Sequence, residues 1–284
     1  SAMREVQVEV PQVRWEDVGG QVTVKQALKE AVQWPQSRAD ELKKVGAKTP
    51  LGILLFGPPG CSKTLLARAV ASEAGLNFLS IKGPELYSKY VGESEKAVRA
   101  LFRKARQVAP SIIFIDEVDG MVASRSQSSG GGDIGSVGER VLSQLLMEMD
   151  GLVPLNGVVV VAATNRPDRL DSAFLRPGRL DRLLYVPPPD TATREAIFEI
   201  HLRNTETDSS VSLSLLASRT EGYTGADIAA ICREAAMTAL KEDINASSVS
   251  SRHFEHALSI VRASQSSVPI SIYEKFMRPG FQAG

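Results

Sequence analysis

Short, wholly apolar runs alternate with amphipathic stretches along the first two thirds of the chain. Residues 53–56 and 158–163 are apolar at every position, which is typical of strands buried on both faces of a sheet. Between such runs, apolar residues recur every three or four positions, as over residues 93–108. This alternation predicts an α/β fold, with a parallel sheet covered by helices on both faces. The five predicted strands span residues 51–56, 77–81, 111–115, 158–163 and 183–186.

Three consecutive prolines at residues 187–189 end the sheet pattern, and only helical patterns follow them. An earlier helical stretch, residues 22–45, is expected to be interrupted at Pro35. The glycine- and serine-rich residues 124–138 are expected to form a mobile loop. We therefore predict four parts. They are a linker (1–20), an α/β domain (21–188), a small all-helical domain (189–265) and a C-terminal tail or short packed helix (266–284). The linker-like start suggests a piece of a longer protein.

Residues 57–64, GPPGCSKT, lie between the first apolar strand and a helical run. Strand, glycine-bearing loop and helix are the context in which backbone N–H groups and a helix N-terminus bind phosphate. Lys63 is expected to reach the β- and γ-phosphates, and the Thr64 hydroxyl to bind Mg²⁺. Ser62 stands where the G-x-x-x-x-G-K-[ST] pattern has glycine. A serine with a negative φ can still offer its N–H, so we expect a negative φ at Ser62 and a functional loop.

Polar and charged residues follow the later strands, where they would lie at the same edge of the sheet as the phosphate loop. Asp116 is predicted to hold Mg²⁺ and Glu117 to activate the attacking water, a general-base role typically worth about 10²–10⁴ in rate. Asn165, after the fourth strand, is predicted to contact the γ-phosphate and that water. Arg176 and Arg179 lie on a proline- and glycine-bearing loop, and a guanidinium suits a transferring phosphoryl group.

Composition gives no support for a nucleic-acid or membrane partner. Lysine and arginine total 33 residues and so do aspartate and glutamate, so nothing global favours nucleic acid or a membrane surface. No apolar run approaches the roughly 18 residues of a membrane span, and no signal-peptide pattern follows Met3. Two cysteines, Cys61 and Cys232, give no disulfide framework, which suits a reducing compartment. We expect a cytoplasmic or nuclear protein.

Four motifs in a fixed order make the chain similar to an AAA+ ATPase module: GPPGCSKT, SIIFIDE, ATNRPD and LRPGRLDR. WEDVGG precedes them and GYTGADI follows, so the resemblance covers about residues 12–262. It is closest to the valosin-containing-protein class, whose members carry two modules in tandem. The Cys-Ser pair in GPPGCSKT resembles the second module of the Afg-type, spermatogenesis-associated and calmodulin-interacting ATPases of ribosome maturation. The resemblance implies a P-loop NTPase sheet of five parallel strands, a helical lid domain and Mg²⁺-dependent hydrolysis of ATP to ADP.

The resemblance also implies roles for individual residues. Asn165 becomes the sensor of the γ-phosphate, while Arg176 and Arg179 become fingers that reach a neighbouring subunit's nucleotide. Fingers supplied across an interface imply a homo-oligomeric ring, in this class a hexamer. Asp150-Gly151 matches the intersubunit signalling segment, although Leu152 replaces the usual aromatic residue. The implied nucleotide contacts are Asp17, Val18, Gly19, Pro58, Pro59, Gly60, Cys61, Ser62, Lys63, Thr64, Leu65, Ile197, His201, Gly225 and Ala226.

A polypeptide-binding pore follows from the same resemblance. Lys89, Tyr90 and Val91 match the first pore loop, in which an aromatic residue grips a translocating chain, and residues 124–138 would form the second. The implied function is ATP-driven remodelling or unfolding of proteins by a hexamer, and in this branch the release of factors from pre-ribosomal particles.

Two other functions remain open. A nucleic-acid motor or loader could use the same nucleotide core, and strong salt-dependent DNA affinity would favour it over the protein remodeller. A ring subunit that binds nucleotide without turnover is the second alternative. The presence of Glu117, Asn165 and both arginines disfavours that alternative.

Overall fold

The structure, a computed structural model, describes residues 7–46, 50–86, 93–121, 134–152, 157–264 and 268–277. Its strands are β1 (Val8–Glu9), β2 (Gly52–Phe56), β3 (Asn77–Lys82), β4 (Ser111–Asp116), β5 (Val158–Thr164) and β6 (Arg182–Tyr185). They form one sheet in the order β1-β3-β4-β5-β2-β6. The five predicted strands are present and run parallel to one another. The predicted α/β fold is confirmed.

The sheet has one strand more than the pattern predicted. β1 pairs antiparallel with β3 at the sheet edge, with Val8 opposite Leu79 and Glu9 opposite Phe78. Two residues are too few to show the alternation that identifies a strand, so this segment could not be distinguished from the surrounding linker. Arg68 Nη1 donates to Glu9 Oε2 at 2.6 Å and ties the edge strand to the helix beneath it.

Helices cover both faces of the sheet and are the main elements of the described residues after residue 190. They are α1 (Val22–Leu28), α2 (Trp34–Ser37), α3 (Ala39–Lys44), α4 (Lys63–Glu73), α5 (Glu93–Gln107), α6 (Ile134–Asp150), α7 (Thr191–Leu202), α8 (Leu213–Arg219), α9 (Gly225–Glu242), α10 (Ser251–Ile260) and α11 (Ile270–Met277). The expected interruption at Pro35 is wrong. A π-helical turn, Lys29–Gln33, joins α1 to α2, and Pro35 lies in the first turn of α2, where its missing N–H is tolerated. The break comes instead at Arg38, which has φ −134°.

Alternate side chains of each central strand pack into two separate hydrophobic cores, one on each face of the sheet. Leu54 and Phe56 of β2 pack with α5, α6 and α11 on one face, whereas Ile53 and Leu55 pack with α1 and α4 on the other. All four side chains are buried. Burial on both faces explains why β2 is a continuous apolar run in the sequence. The same packing fixes the carboxyl end of β2, where the phosphate loop begins.

The helices from α7 to α10 enclose a third apolar core that includes Phe198, Phe254 and Cys232. Cys232 is buried there as a small apolar residue. A capping box begins α9: Asp227 N–H donates to Thr224 Oγ1, and Thr224 N–H donates to Asp227 Oδ2. Ser264 also donates to the Asp227 carboxylate through its amide and its hydroxyl. The start of α9 is therefore strongly fixed.

Several predicted features lie wholly or partly outside the described residues. Lys89, Tyr90 and Val91 lie outside them, as do residues 124–133 of the expected loop; residues 134–138 form the first turn of α6 instead. Of the two possibilities for the C-terminal segment, residues 270–277 adopt the packed helix, α11, with Tyr273 fully buried. No helix in the described ranges is long and apolar enough to cross a membrane.

Candidate nucleotide site

A cavity of about 430 Å³ lies between the carboxyl edge of the sheet and the helical domain. This volume is within the range of small-molecule sites, roughly 300–1,000 Å³. Most of the nucleotide-contacting and catalytic residues that the sequence predicted come together there. The lining comprises Asp17, Gly19, Pro59, Gly60, Cys61, Ser62, Lys63, Thr64, Leu65, Asp116, Glu117, Asn165, Ile197, Ile200, His201, Gly225, Ala226 and Ala229.

Lys63 is held inside the phosphate loop by the loop's own carbonyl groups. Its Nζ donates to Gly57 O at 2.9 Å and to Pro58 O at 2.6 Å, and the side chain is buried. Burial lowers the pKa of Lys63 to about 8, against the opposing effect of nearby Asp116 and Asp119. A buried ammonium bonded to neutral carbonyls is stabilised by an arriving anion, so the loop fits a phosphate group.

Ser62 does not have the negative φ that the sequence led us to expect. Its φ is +64° and its ψ is 19°, in the left-handed region that glycine adopts without strain. No side-chain hydrogen bond caps α4 at this position. Ser62 therefore has the backbone conformation that glycine usually adopts at this position. Because serine has a side chain, that conformation is strained here.

Replacing Ser62 with glycine is expected to raise the free energy of unfolding by about 0.5 kcal/mol. A left-handed residue with a side chain costs roughly 1–2 kcal/mol, and the greater freedom of glycine in the unfolded chain offsets about 0.5–1 kcal/mol of that relief. Chemical denaturation measures the change. Ser62→Ala is the matched control, since it keeps the strain and should give no gain. Equal stability of the two variants would contradict the strained backbone.

Thr64, Asp116 and Glu117 bring oxygen atoms together beside the loop. Thr64 Oγ1 donates to Asp116 Oδ2 at 2.9 Å, and a hydroxyl beside a carboxylate suits Mg²⁺, which takes few protein ligands besides water and substrate phosphates. Glu117 follows with φ +52°, and its N–H donates to Asp116 Oδ1 at 2.9 Å. Its side chain is half exposed, with Oε1 3.7 Å from Lys82 Nζ. Glu117 thus lines the cavity from a strained backbone position that is held by its neighbour's side chain.

Asn165 reaches the same cavity from the end of β5. The residue before it is anchored firmly: buried Thr164 donates from Oγ1 to Asp119 Oδ1 at 2.6 Å and accepts from Arg166 N–H at 2.9 Å. The carboxyl ends of β2, β4 and β5 thus present Lys63 with its loop, the Asp116-Glu117 pair and Asn165 on one side of the cavity. The arrangement can hold a phosphate chain beside an acceptor of water protons.

The linker and the helical domain form the opposite wall. Gly19 approaches α7 so closely that a Cβ would lie 2.5 Å from Ile197 Cγ1. Trp15 N–H donates to Glu73 Oε1 at 3.1 Å, while Arg203 Nη1 donates to Asp17 Oδ1 at 2.9 Å. The linker is thereby attached to α4 on one side and to the end of α7 on the other. Hydrogen bonds from the Arg14 N–H and from Arg203 lower the pKa of Asp17.

The residues that line the cavity differ in part from those predicted. Val18 is buried in the core and does not line the cavity, and Pro58 does not line it either. Ile200 and Ala229 line it without having been predicted. Each lies three positions after a predicted residue of the same helix, Ile197 or Ala226, so helical spacing was the signal that could have found them. Desolvation lowers the pKa of His201.

The phosphate loop and the helical domain also touch directly. Gly60 has φ +74°, and its carbonyl oxygen accepts from Ala226 N–H at 3.3 Å. A Cβ at Gly60 would lie 2.6 Å from Thr224 Oγ1, so no side chain fits. The N-terminal turn of α9 is therefore fixed against the loop, which encloses the cavity.

The two predicted finger arginines lie outside the cavity lining and differ in environment. Arg176 is exposed on its loop. Arg179 is hydrogen-bonded to residues of its own chain. Its Nε and Nη2 donate to the two carboxylate oxygens of Asp150 at 2.7 and 2.8 Å, and its Nη1 donates to Ala173 O at 2.7 Å. The same pairing lowers the pKa of Asp150. Arg179 thus fastens the loop that carries Arg176 to the end of α6.

Cys61 is buried within the phosphate loop, with Sγ 3.6 Å from Pro59 O. Burial raises the pKa of its thiol to about 11, and that of Cys232 to about 12. Since the thiolate is the reactive form, we expect both thiols of the native protein to react with Ellman's reagent at least ~100-fold more slowly than a free thiol. Unfolding in denaturant should release both.

The Cys61→Ala variant shows which of the two reaction rates belongs to Cys61 and which to Cys232. If Cys61 of the native protein reacted as fast as a free thiol, its burial would be contradicted. Forced modification of Cys61 should abolish nucleotide binding, because the adduct would occupy the cavity wall. Full nucleotide affinity of a mass-verified adduct would contradict that expectation.

Comparison with known proteins identifies the module. Residues 53–188 match the ATPase family associated with various cellular activities (AAA), and residues 210–256 match the AAA+ lid domain. The chain is 54% identical over 261 residues to the human ATPase family gene 2 protein homolog A, and this alignment covers 92% of the chain and 29% of the human protein. It is 53% identical over 290 residues to the cell division cycle protein 48 homolog of Archaeoglobus fulgidus, covering 98% of this chain and 39% of that protein.

The ATPase family gene 2 protein of Saccharomyces cerevisiae is 50% identical over 278 residues, covering 97% of this chain and 35% of the yeast protein. The chain thus spans about a third of the length of the curated relatives it matches. Residues of both matched regions line the nucleotide cavity, and ATP and ADP are the ligands of this family. The chain therefore belongs to the AAA ATPase family, with an AAA ATPase domain followed by an AAA+ lid domain.

Proposed function

We propose that the cavity binds Mg²⁺-ATP and hydrolyses it, and that a ring of these modules uses the energy to remodel proteins. The observation that carries the proposal is the convergence of Lys63, Thr64, Asp116, Glu117 and Asn165 in one cavity at the carboxyl edge of the sheet. Ligands bind at this edge in open α/β sheets.

Phosphate binding falls to the loop and its lysine. Lys63 Nζ exchanges its bonds to the loop carbonyls for the β- and γ-phosphate oxygens, while Thr64 and Asp116 supply a hydroxyl and a carboxylate to the metal. Magnesium, when bound, supplies positive charge that offsets the charge developing on the phosphate oxygens. Gly19, Ile197 and Ala226 enclose the base and ribose and keep the substrate in one orientation.

Hydrolysis requires a proton acceptor and an oriented water. Glu117 Oε1 accepts the proton of the attacking water, and the half-exposed side chain leaves room for that water. Asn165 holds the water and a γ-phosphate oxygen in line from the end of β5. Lys82, 3.7 Å from the Glu117 carboxylate, keeps that carboxylate oriented before substrate arrives.

The remaining charge on the transferring group requires a guanidinium from another subunit. Arg176 is exposed and lies outside the cavity lining, so within one chain it has no place in the reaction. We propose a homo-oligomeric ring, a hexamer, in which Arg176 enters the cavity of the next subunit and Arg179 supports its loop from within. The ring would act on polypeptides, and factors on pre-ribosomal particles are the narrower proposal for its substrates.

The test is ATP turnover measured over a range of protein concentrations, with assembly size followed by analytical ultracentrifugation. Turnover per chain is expected to rise together with the population of the ring. A fluorescent protein with an unstructured tail serves as remodelling probe, and should unfold with ATP but not with a non-hydrolysable analogue. Turnover per chain that is the same in monomer and ring would contradict the trans-acting arginine, and ATP binding without turnover at any concentration would favour a nucleotide-sensing subunit.

A further inference from the structure

A buried tyrosine of α11 contacts the backbone of the proposed sensor residue. Tyr273 is fully buried, and its hydroxyl donates to the main-chain carbonyl oxygen of Asn165 at 2.9 Å. α11 lies outside both regions that match the family, 53–188 and 210–256. The contact therefore joins a segment beyond the two matched domains to the edge of the nucleotide cavity.

The peptide group after Asn165 is held at both ends. Its carbonyl oxygen accepts from Tyr273, and its N–H, which belongs to Arg166, donates to Thr164 Oγ1 at 2.9 Å. Thr164 is itself buried and bonded to Asp119. Two bonds at opposite ends of one peptide plane fix the ψ angle of Asn165 and, with it, the direction in which the side chain leaves the strand end.

The position of the tyrosine is in turn fixed by packing. Its ring stacks on Tyr185 of β6, with centroids 5.8 Å apart and planes at 27°, and Tyr185 packs on Phe56 at 5.5 Å. Phe276, one turn further along α11, packs on Phe56 at 5.7 Å. Phe56 is the last residue of β2, directly before the phosphate loop. The helix thus spans the ends of β2 and β5, the strand ends that carry the loop and Asn165.

We propose that Tyr273 is a positioning residue for ATP hydrolysis, acting through the main chain of Asn165. The inference rests on the proposed role of Asn165. A water and a γ-phosphate oxygen must be held within a fraction of an ångström, and the clamped peptide plane supplies that precision. Without the hydroxyl, the Asn165 side chain samples more directions while the cavity, the loop and Lys63 remain intact.

Tyr273→Phe tests this, because it removes the hydroxyl and keeps the aromatic stack. We expect kcat to fall about 5–20-fold with KM for ATP within about 2-fold, since positioning acts on the transition state. In an Asn165→Ala background, which keeps the main-chain carbonyl, Tyr273→Phe should cause no further loss. Tyr185→Phe is the matched control, which removes a hydroxyl from the same stack, and its kcat should stay near that of the wild type.

A second measurement does not depend on turnover. Exchange of the Arg166 amide hydrogen, followed by NMR without nucleotide, should be at least ~10-fold faster in Tyr273→Phe than in wild type or Tyr185→Phe. Unchanged exchange, unchanged kcat, or an equal loss of kcat with and without the Asn165 side chain would overturn the proposal. If Arg166 exchange rises while Asn165→Ala hydrolyses ATP at the wild-type rate, the clamp stands and the proposed role of Asn165 fails instead.

Discussion

Replacing Glu117 with glutamine is expected to lower ATP turnover by about 10²–10⁴-fold while ATP affinity stays within about 2-fold of the wild type. The substitution removes the group that accepts the water proton and changes little else. Glutamine has the same length as glutamate and keeps the φ of +52° and the N–H bond to Asp116 Oδ1. Thr64, Asp116 and Lys63 remain to bind the phosphates and the metal, so binding and hydrolysis separate.

Turnover is measured by phosphate release and affinity by titration with a fluorescent ATP analogue. Glu85→Gln provides the matched control, because it removes one carboxylate charge from the neighbouring turn, where Glu85 Oε2 accepts from Lys82 N–H at 3.2 Å. The control should retain turnover near the wild-type rate. A Glu117→Gln variant that keeps wild-type turnover, or that loses ATP binding in parallel with turnover, would rule out the general-base role.

Replacing Arg176 with alanine is expected to reduce turnover of the assembled ring by about 10³-fold or more, in keeping with the 10³–10⁵ range of arginine fingers. The loss comes from the transition state, because this exposed guanidinium is absent from the cavity of its own chain. ATP affinity and assembly should therefore change little. Turnover and sedimentation are measured on the same samples, with Arg182→Ala as a control for loss of an exposed arginine.

Mixing two inactive variants distinguishes action in trans from action in cis. An Arg176→Ala chain keeps its own Glu117, and a neighbouring Glu117→Gln chain keeps its own Arg176. A mixed ring therefore contains interfaces at which both groups are intact, and turnover should recover in part. A mixture with no more activity than its components would contradict an arginine supplied by the neighbour.

The parts of this molecule that could be predicted from sequence are those encoded locally. β2, β4 and β5 are apolar at nearly every position because they are buried on both faces. The polar residues Asp116, at the end of β4, and Asn165, directly after β5, are therefore easy to recognise in the chain. Local geometry was less accessible. The φ of Ser62 was mispredicted, because the backbone at that position follows from the loop as a whole rather than from the residue.

Contacts between distant segments were not predictable from the chain pattern. The finger role of Arg179 stays a prediction, and nothing local in the sequence indicates that Asp150, 29 positions earlier, pairs with its guanidinium. Tyr273 has no motif around it, and its partner lies 108 positions earlier. Such pairs depend on which strand ends and helices meet in the folded molecule, which is a property of the topology.

The double attachment of the linker makes it a mechanical connection. Trp15 is bonded to Glu73 of α4 and Asp17 to Arg203 at the end of α7, and Gly19 packs so closely on Ile197 that no side chain fits at that position. Opening the cleft for nucleotide exchange has to lengthen this connection or detach one of its ends. We therefore expect a pull on the backbone ahead of Trp15 to load both attachments and to change the rate of ADP release.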